Sequence, residues 1–161
     1  MAVNLILRIA RGTGQGPTPL AAFDAALRSA GVSDYNLIVL SSVIPPGSVI
    51  TQGATDQNED EFGMRLYVVM ARADSITTGQ AAWAGLGWAQ REDGRGLFVE
   101  EHGESELGVR SAIRASLGAM IDGRGVAYGP INDAIVGVVC RGTPVCAVAI
   151  AVYRSVSWNH E

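Results

Sequence analysis

The apolar residues of this chain fall mostly into short runs of strand length, and only two segments carry them at helical spacing. The first predicted helix follows Thr18, a good N-cap residue, with Pro19 at its first position and Gly31 as its C-terminal stop. The second predicted helix follows Ser105, and Leu107 lies off its apolar stripe. The stripe itself consists of Val109, Ile113, Leu117 and Met120. Most of the remaining chain must therefore be strand or loop.

Six or seven further segments have the composition and length of strands. They are residues 4–10, 35–40, 65–73, 96–101, 134–140, 146–153 and, less regularly, 80–89. Asp93-Gly94 is a hairpin signal, and Arg141-Gly142-Thr143-Pro144 predicts a closing hairpin between the last two strands. Two helices among this many strands predict an α+β sandwich in which helices cover sheet. Because no repeat or linker interrupts the pattern, residues 1–161 are predicted to form a single domain.

Composition limits the partners that this chain can be expected to bind. Its 16 acidic and 12 basic residues argue against nucleic acid or an anionic membrane surface and would suit a small cationic ligand. No apolar stretch approaches the length of a membrane span. Cys140 and Cys146 match no zinc pattern and lie in apolar surroundings, so we expect buried structural thiols and no metal site. These features predict a cytoplasmic protein without a nucleic-acid or membrane partner.

The most informative segment is the serine pair Ser41-Ser42, which follows a predicted buried strand and precedes Pro45-Pro46. Each proline fixes its own φ and restricts the residue before it, so a peptide bond at this corner can be strained. In a self-cleavage reaction the Ser42 hydroxyl would attack the carbonyl carbon of Ser41, and elimination would leave a ketone at position 42. The oxyanion formed on the way needs an amide donor, and Asn36 is the candidate. Asn36 can equally be a turn residue that precedes the strand.

A glycine-rich segment, Gly12 to Gly16, follows the first predicted strand and mimics part of a dinucleotide-binding fingerprint. Its third glycine is misplaced, however, and Pro17 and Pro19 stand where phosphate-binding N–H groups would be needed. The later strands also look like hairpins, whereas a nucleotide-binding sheet needs parallel crossovers. We therefore expect these glycines to let the chain turn tightly beside the reactive serine pair.

Three motifs resemble those of the pyruvoyl-dependent arginine decarboxylase family. They read Thr18-Pro19-Leu20-x-Ala22-Phe23-Asp24-x-Ala26-Leu27, then Asn36-Leu37-Ile38-x-x-Ser41-Ser42-x-Ile44-Pro45-Pro46, then Gly96-Leu97-Phe98-Val99-Glu100 followed by Gly103. The resemblance implies a four-layer αββα sandwich with antiparallel-rich sheets. It also implies a self-processing lyase of polyamine biosynthesis that converts arginine to agmatine and carbon dioxide. The expected assembly is a homotrimer or a dimer of trimers with active sites between subunits.

The same resemblance assigns roles to individual residues. Ser42 would become the covalent pyruvoyl cofactor, and Ser41 would end the shorter fragment. The ketone would form a Schiff base with the substrate amine and serve as the electron sink. Glu100 would protonate the carbanion, for which it must hold a proton near neutral pH, and Asp24 would bind the substrate guanidinium. Taken alone, Glu100 could be a solvent-facing residue at a strand end, and Asp24 could pair with Arg28 one helical turn further on.

The chain departs from the family pattern in the polar, acidic stretch 51–61, most of which is predicted to be a surface loop. Because of this departure the sequence does not fix the identity of the substrate. Two alternatives to a self-processing arginine decarboxylase therefore stay open. One is a decarboxylase that acts on another amino-acid-like substrate. The other is an uncleaved family member that serves as a non-catalytic trimeric binding or scaffold protein. Cleavage would divide the chain into fragments 1–41 and 42–161, so the mass of the protein tests the second alternative directly.

Overall fold

The structure is a computed structural model and describes residues 4–159. It stacks four layers: helix α1 (Pro19–Ala30), a five-stranded sheet, a four-stranded sheet and helix α2 (Glu106–Asp122). The predicted four-layer αββα sandwich is thereby confirmed. The predicted single domain, residues 1–161, extends beyond the described part of the chain at both ends and stays a prediction.

Nine strands form the two sheets within residues 4–159, more than the sequence predicted. In chain order they are β1 (Ile6–Gln15), β2 (Asn36–Val39), β3 (Val43–Ile44), β4 (Val49–Gln52), β5 (Arg65–Ser75), β6 (Ala81–Gln90), β7 (Gly96–Gly103), β8 (Asn132–Val139) and β9 (Val145–Val156). The five-stranded sheet has the order β2-β5-β9-β1-β4, and the four-stranded sheet has the order β3-β7-β6-β8. The pairs β1–β4 and β2–β5 are parallel, and the other described pairs are antiparallel. A short 3₁₀ helix, Glu59–Glu61, lies in the predicted surface loop.

Both helices begin where the capping residues predict. The Thr18 hydroxyl accepts a hydrogen bond from the backbone N–H three residues on, at 3.1 Å, and Gly31 ends α1 with a φ of 82°. The Ser105 hydroxyl accepts the equivalent bond at 3.0 Å at the start of α2. Leu107 is 77% exposed, as its position off the stripe predicts. The buried face of α2 consists of Val109, Ile113 and Leu117, with Met120 packed at its margin.

Three apolar layers hold the sandwich together. The middle layer lies between the sheets and buries Leu86 and Phe98 completely. α1 covers the outer face of the five-stranded sheet through small residues such as Ala26, and α2 covers the outer face of the four-stranded sheet. Cys140 and Cys146 lie in these layers as free buried thiols, as predicted. Burial raises the pKa of the Cys146 thiol to about 12.

The glycine-rich segment is not the tight turn that we predicted, because β1 continues through it to Gln15. A Cβ at Gly12 would lie 2.1 Å from the Ala26 carbonyl oxygen, and one at Gly14 would lie 2.4 Å from the Ala26 nitrogen. The missing Cβ atoms therefore let α1 lie directly on the strand. This close packing explains the glycines without a nucleotide.

Two further predictions about the strands are wrong. β8 and β9 do not form a closing hairpin: β8 pairs with β6 in one sheet, and β9 pairs with β1 and β5 in the other. β2 is an edge strand of the five-stranded sheet and is only partly buried, so the strand before the serine pair is not a buried one. Within residues 4–159, neither helix is long and apolar enough to cross a membrane.

Candidate active site

The serine pair Ser41-Ser42 lies where the chain passes from one sheet to the other. The pairing of β2 with β5 ends at Leu40, whose N–H donates to the Val68 carbonyl at 2.8 Å in the five-stranded sheet. The Ser42 carbonyl already accepts a hydrogen bond from the Phe98 N–H at 2.9 Å in the four-stranded sheet. The two sheets thus hold the chain on either side of the Ser41–Ser42 peptide bond.

Ser42 has a backbone conformation that side chains rarely adopt. Its φ is 74°, and it is the one non-glycine residue with a positive φ within residues 4–159. A left-handed conformation costs a residue that carries a Cβ about 1–2 kcal/mol. This torsion turns about the N–Cα bond of Ser42, directly after the Ser41–Ser42 peptide. The backbone strain is therefore located next to the predicted cleavage bond.

Glu100 is the side chain that the structure brings to Ser42. The Ser42 hydroxyl donates a short hydrogen bond to Glu100 Oε1, and both residues are partly buried. Glu100 shares the face of β7 with Phe98, which lies between the two sheets. Glu101 points the other way, towards α2, and accepts a hydrogen bond from the Ser116 hydroxyl at 3.0 Å. Glu100 is thus not a simple solvent-facing residue.

Tyr153 is a site residue that the sequence did not reveal. The register between β5 and β9 shifts between Tyr67 and Val68, which leaves Tyr153 as the extra residue of a β-bulge. Its hydroxyl donates to the Val43 carbonyl at 2.9 Å. Burial and, second, the charge of Glu100 raise the pKa of Tyr153, so its hydroxyl stays protonated at neutral pH. A bulge has no fixed residue signature, and the apolar run of β9 therefore gave no sign of this side chain.

A cavity of about 440 Å³ opens beside Leu40 and Tyr153. A volume of this size suits a small-molecule ligand. Two of its lining residues are the arginines Arg65 and Arg154, and its described lining contains no acidic residue. The part of one chain that the structure describes therefore supplies no carboxylate to this cavity for a cationic group.

Asn36 lies at the other end of β2 from the serine pair. Its side-chain amide donates to the Gly63 carbonyl at 2.8 Å. About 13 Å of extended strand separate it from Leu40, the residue before the serine pair. The Asn36 amide and the Ser41–Ser42 peptide bond are therefore not neighbours within one chain.

Asp24 is likewise separated from Ser42. It lies on α1, where its carboxylate is 3.2 Å from the Arg28 guanidinium and both side chains are more than half exposed. This is the helical ion pair that the sequence offered as the alternative to a binding role. α1 covers the outer face of the five-stranded sheet, whereas Glu100 faces the space between the sheets. The five-stranded sheet thus stands between Asp24 and the serine corner.

The fold and this corner together define a class of protein. It is a two-sheet sandwich in which the chain passes between the sheets at a strained serine, and the serine hydroxyl is hydrogen-bonded to a carboxylate. The family model described as pyruvoyl-dependent arginine decarboxylase matches residues 6–156. The chain belongs to the pyruvoyl-dependent arginine decarboxylase family. The resemblance that its motifs indicate is thereby confirmed.

Curated relatives carry the same family name. A pyruvoyl-dependent arginine decarboxylase of Halobacterium salinarum is 46% identical over 99 residues, which are 62% of this chain and 61% of the relative. One of Thermoplasma volcanium is 34% identical over 100 residues, 60% of this chain and 55% of the relative. Pyruvoyl-dependent arginine decarboxylase 1 of Archaeoglobus fulgidus is 34% identical over 95 residues, 58% of this chain and 60% of the relative. The matched stretch thus spans less than two thirds of each of these relatives.

Proposed function

We propose that this protein cleaves itself between Ser41 and Ser42 and then decarboxylates arginine to agmatine, with a pyruvoyl group made from Ser42 as its cofactor. The observation that carries the proposal is the strained Ser42, whose hydroxyl is hydrogen-bonded to Glu100. Family membership supports it, because the relatives are named as pyruvoyl-dependent arginine decarboxylases. The residues at the corner also fit the group, since Ser42 would supply its atoms and a carboxylate already contacts residue 42.

Cleavage uses the Ser42 hydroxyl as the nucleophile. As its oxygen bonds to the Ser41 carbonyl carbon, Glu100 accepts the hydroxyl proton, the C–N bond breaks and a proton passes to the freed nitrogen. Residue 42 then loses its α-proton and the Ser41 carboxylate by elimination, which gives dehydroalanine. Tautomerisation and hydrolysis release ammonia and leave the ketone. Relief of the strain at φ would favour the first step by up to about five- to thirtyfold, if all of ~1–2 kcal/mol is released in the transition state.

Decarboxylation would use the same residues in different roles. Residue 42 would hold the pyruvoyl group, which would supply a carbonyl for the substrate amine and an electron sink for decarboxylation. Glu100 would give a proton to the substrate carbon, and its contact with residue 42 supports this role. The Tyr153 hydroxyl donates to the carbonyl of Val43, the residue after Ser42, and so fixes the direction of β3. Phe98, fully buried with its ring centroid 6.4 Å from that of Tyr153, limits the access of water from the core side.

A neighbouring copy of the chain would complete the site. Asp24 and Asn36 are both exposed, and the cavity beside Tyr153 has no acidic residue in its described lining. In a homotrimer or a dimer of trimers, Asp24 of one copy would bind the substrate guanidinium through two parallel hydrogen bonds. Asn36 of a neighbouring copy would donate a hydrogen bond to the oxyanion that forms on Ser41. Asp24 would exchange Arg28 for the substrate at little cost, because exposed ion pairs of this kind are weak. A place in polyamine biosynthesis and a cytoplasmic location stay predictions from the sequence.

The first test is the intact mass of freshly purified protein under denaturing conditions. We expect two fragments, 1–41 and 42–161, the second blocked at its N-terminus by the ketone. Ser42→Ala should give one full-length mass and form no agmatine. Ser111→Ala, which removes an exposed hydroxyl from α2, should be cleaved like the wild type. A single full-length wild-type mass, stable over days, would favour the scaffold alternative, and agmatine formation by Ser42→Ala would refute the proposal outright.

Asp24→Asn separates substrate binding from the chemistry of cleavage. We expect normal fragments but a KM for arginine raised about tenfold or more, because a charged two-point contact is replaced by a neutral one. Asp56→Asn, which changes an exposed acid in the loop after β4, should leave the KM unchanged. Equal KM values in the two variants would remove Asp24 from guanidinium binding. Cleaved wild-type protein that forms no agmatine would point to another amino-acid-like substrate.

A further inference from the structure

Three arginines converge on a second cavity, about 270 Å³ in volume, on the side of β3 that faces the end of α2. Arg91 and Arg95 flank the turn between β6 and β7, and Arg124 follows α2. Val43 to Pro46 form another part of the wall. The described lining of this arginine cavity contains no acidic residue. Positive charge is therefore concentrated at one place in a chain whose formal net charge is −4.

Most of this charge has no carboxylate partner in the described part of the chain. Arg95 pairs with Asp93 at 3.5 Å, and both side chains are more than half exposed. Arg124 donates to the Met120 carbonyl at 2.9 Å, a contact that brings no carboxylate to its charge. The Nε of Arg91 is buried and has no hydrogen-bond partner there. A buried donor without a partner is costly, and a ligand that accepts from it would remove the cost.

The arginines are held in place before any ligand arrives. The Arg91 guanidinium lies over the Tyr128 ring, 5.2 Å from its centroid. The backbone N–H of Arg91 donates to the backbone carbonyl of Arg95 at 2.6 Å, which fixes the hairpin turn that carries the two residues. Gln90 ties this hairpin to the segment after β3 by donating to the Ser48 carbonyl at 2.9 Å. Side chains held in this way lose less entropy when a ligand binds.

We propose that the arginine cavity binds a phosphate group, either free or carried by a small metabolite. Planar guanidinium groups present paired N–H donors that match phosphate oxygens, and more than one of them suits a doubly charged anion. The proposal goes beyond the decarboxylase function and does not depend on cleavage, because none of the three arginines touches Ser42 or Glu100 in the described hydrogen bonds and ion pairs.

The test is calorimetric titration of the purified full-length protein with inorganic phosphate and with pyrophosphate, at constant pH and ionic strength. We expect one saturable site per chain. Arg91→Gln and Arg124→Gln should each weaken binding by about fivefold or more, since each removes a charged donor. Arg114→Gln is the matched control, because it removes an exposed arginine from α2 about 12 Å before the helix ends. Tighter binding of pyrophosphate than of phosphate, lost in both variants, would favour a phosphorylated metabolite as the ligand, and equal binding would favour free phosphate.

Three results would overturn the proposal. The first is the absence of saturable heat with either anion up to about 10 mM. The second is an equal loss of affinity in Arg114→Gln, which would mean that only the overall charge matters. The third is a change in oligomeric state in Arg91→Gln or Arg124→Gln, measured by light scattering, with phosphate affinity unchanged. In that case the arginine cavity would be a contact between copies of the chain.

Discussion

Replacing Ser42 with alanine and with glycine should give two uncleaved proteins whose stabilities stand in an unusual order. Both variants lack the nucleophile, and both lose the hydrogen bond to Glu100. They differ mainly in the Cβ that alanine carries at a φ of 74°. At an ordinary position glycine is the less stable choice by about 0.5–1 kcal/mol, because it loses more conformational entropy on folding. At this φ the Cβ costs about 1–2 kcal/mol, so the order should reverse.

The expected difference is about 0.5–1 kcal/mol in favour of Ser42→Gly. Equilibrium unfolding in urea, followed by tryptophan fluorescence, should show a midpoint about 0.5 M higher for the glycine variant. Intact mass must first confirm that both variants are uncut. The same pair of substitutions at Ser111, an exposed position of α2, is the control, and there alanine should be more stable by about 1 kcal/mol. If alanine is the more stable residue at both positions, the backbone at Ser42 is not strained and the strain cannot assist cleavage.

Three further predictions follow from packing, hydrogen bonding and titration. Gly12→Ala should lower the free energy of unfolding by about 2 kcal/mol or more, because its Cβ would lie 2.1 Å from a backbone oxygen of α1. Gly118→Ala, with nothing within 4 Å of its Cβ, should raise the free energy of unfolding by about 1 kcal/mol in the same urea titration. The same change in stability for both variants would disprove the close packing at Gly12. Tyr153→Phe should slow the appearance of fragments about fivefold, because it removes one hydrogen bond. Tyr67→Phe, in the same cavity, should leave the cleavage rate unchanged. An unchanged cleavage rate in Tyr153→Phe would remove Tyr153 from the site. With its pKa raised to about 12, Cys146 should be thiolate in only about one molecule in 10⁴ at pH 8, so the native protein should resist a thiol reagent that labels it readily in guanidinium.

The helices could be predicted from the sequence because their signals are local. Thr18 and Ser105 each satisfy a backbone N–H within their own first turn, and no distant residue is needed to recognise them. The stripe on α2 needs only one apolar surface to pack on, and it does not matter which strand supplies it. The serine corner was also predictable in part, because the prolines after it restrict the backbone torsions of the residues next to them. The family motifs assigned catalytic roles to Ser42 and Glu100, whereas the hydrogen bond between them is known only from the structure.

The wrong predictions concern features that depend on distant partners. A glycine is useful both in a turn and beneath a closely packed helix, and only the position of α1 shows which use applies to Gly12 and Gly14. The connection between β8 and β9 is short enough for a hairpin, but the chain crosses from one sheet to the other there. Local patterns state that a segment is a strand without stating its neighbour. The bulge at Tyr153 has the same origin, since it arises from the pairing of two strands far apart in sequence.

The place of β1 in the five-stranded sheet has a consequence for the lifetime of the cut molecule. Fragment 1–41 would carry β1, which lies between β9 and β4 and is hydrogen-bonded on both sides. A cut at the serine pair would therefore leave the fragment in place for as long as the fold persists. After complete unfolding, the two pieces would have to meet again by diffusion, and recovery would depend on concentration, whereas an uncut chain refolds alone. In dilute solution the mature protein would then be assembled once, and its first full unfolding would end its working life.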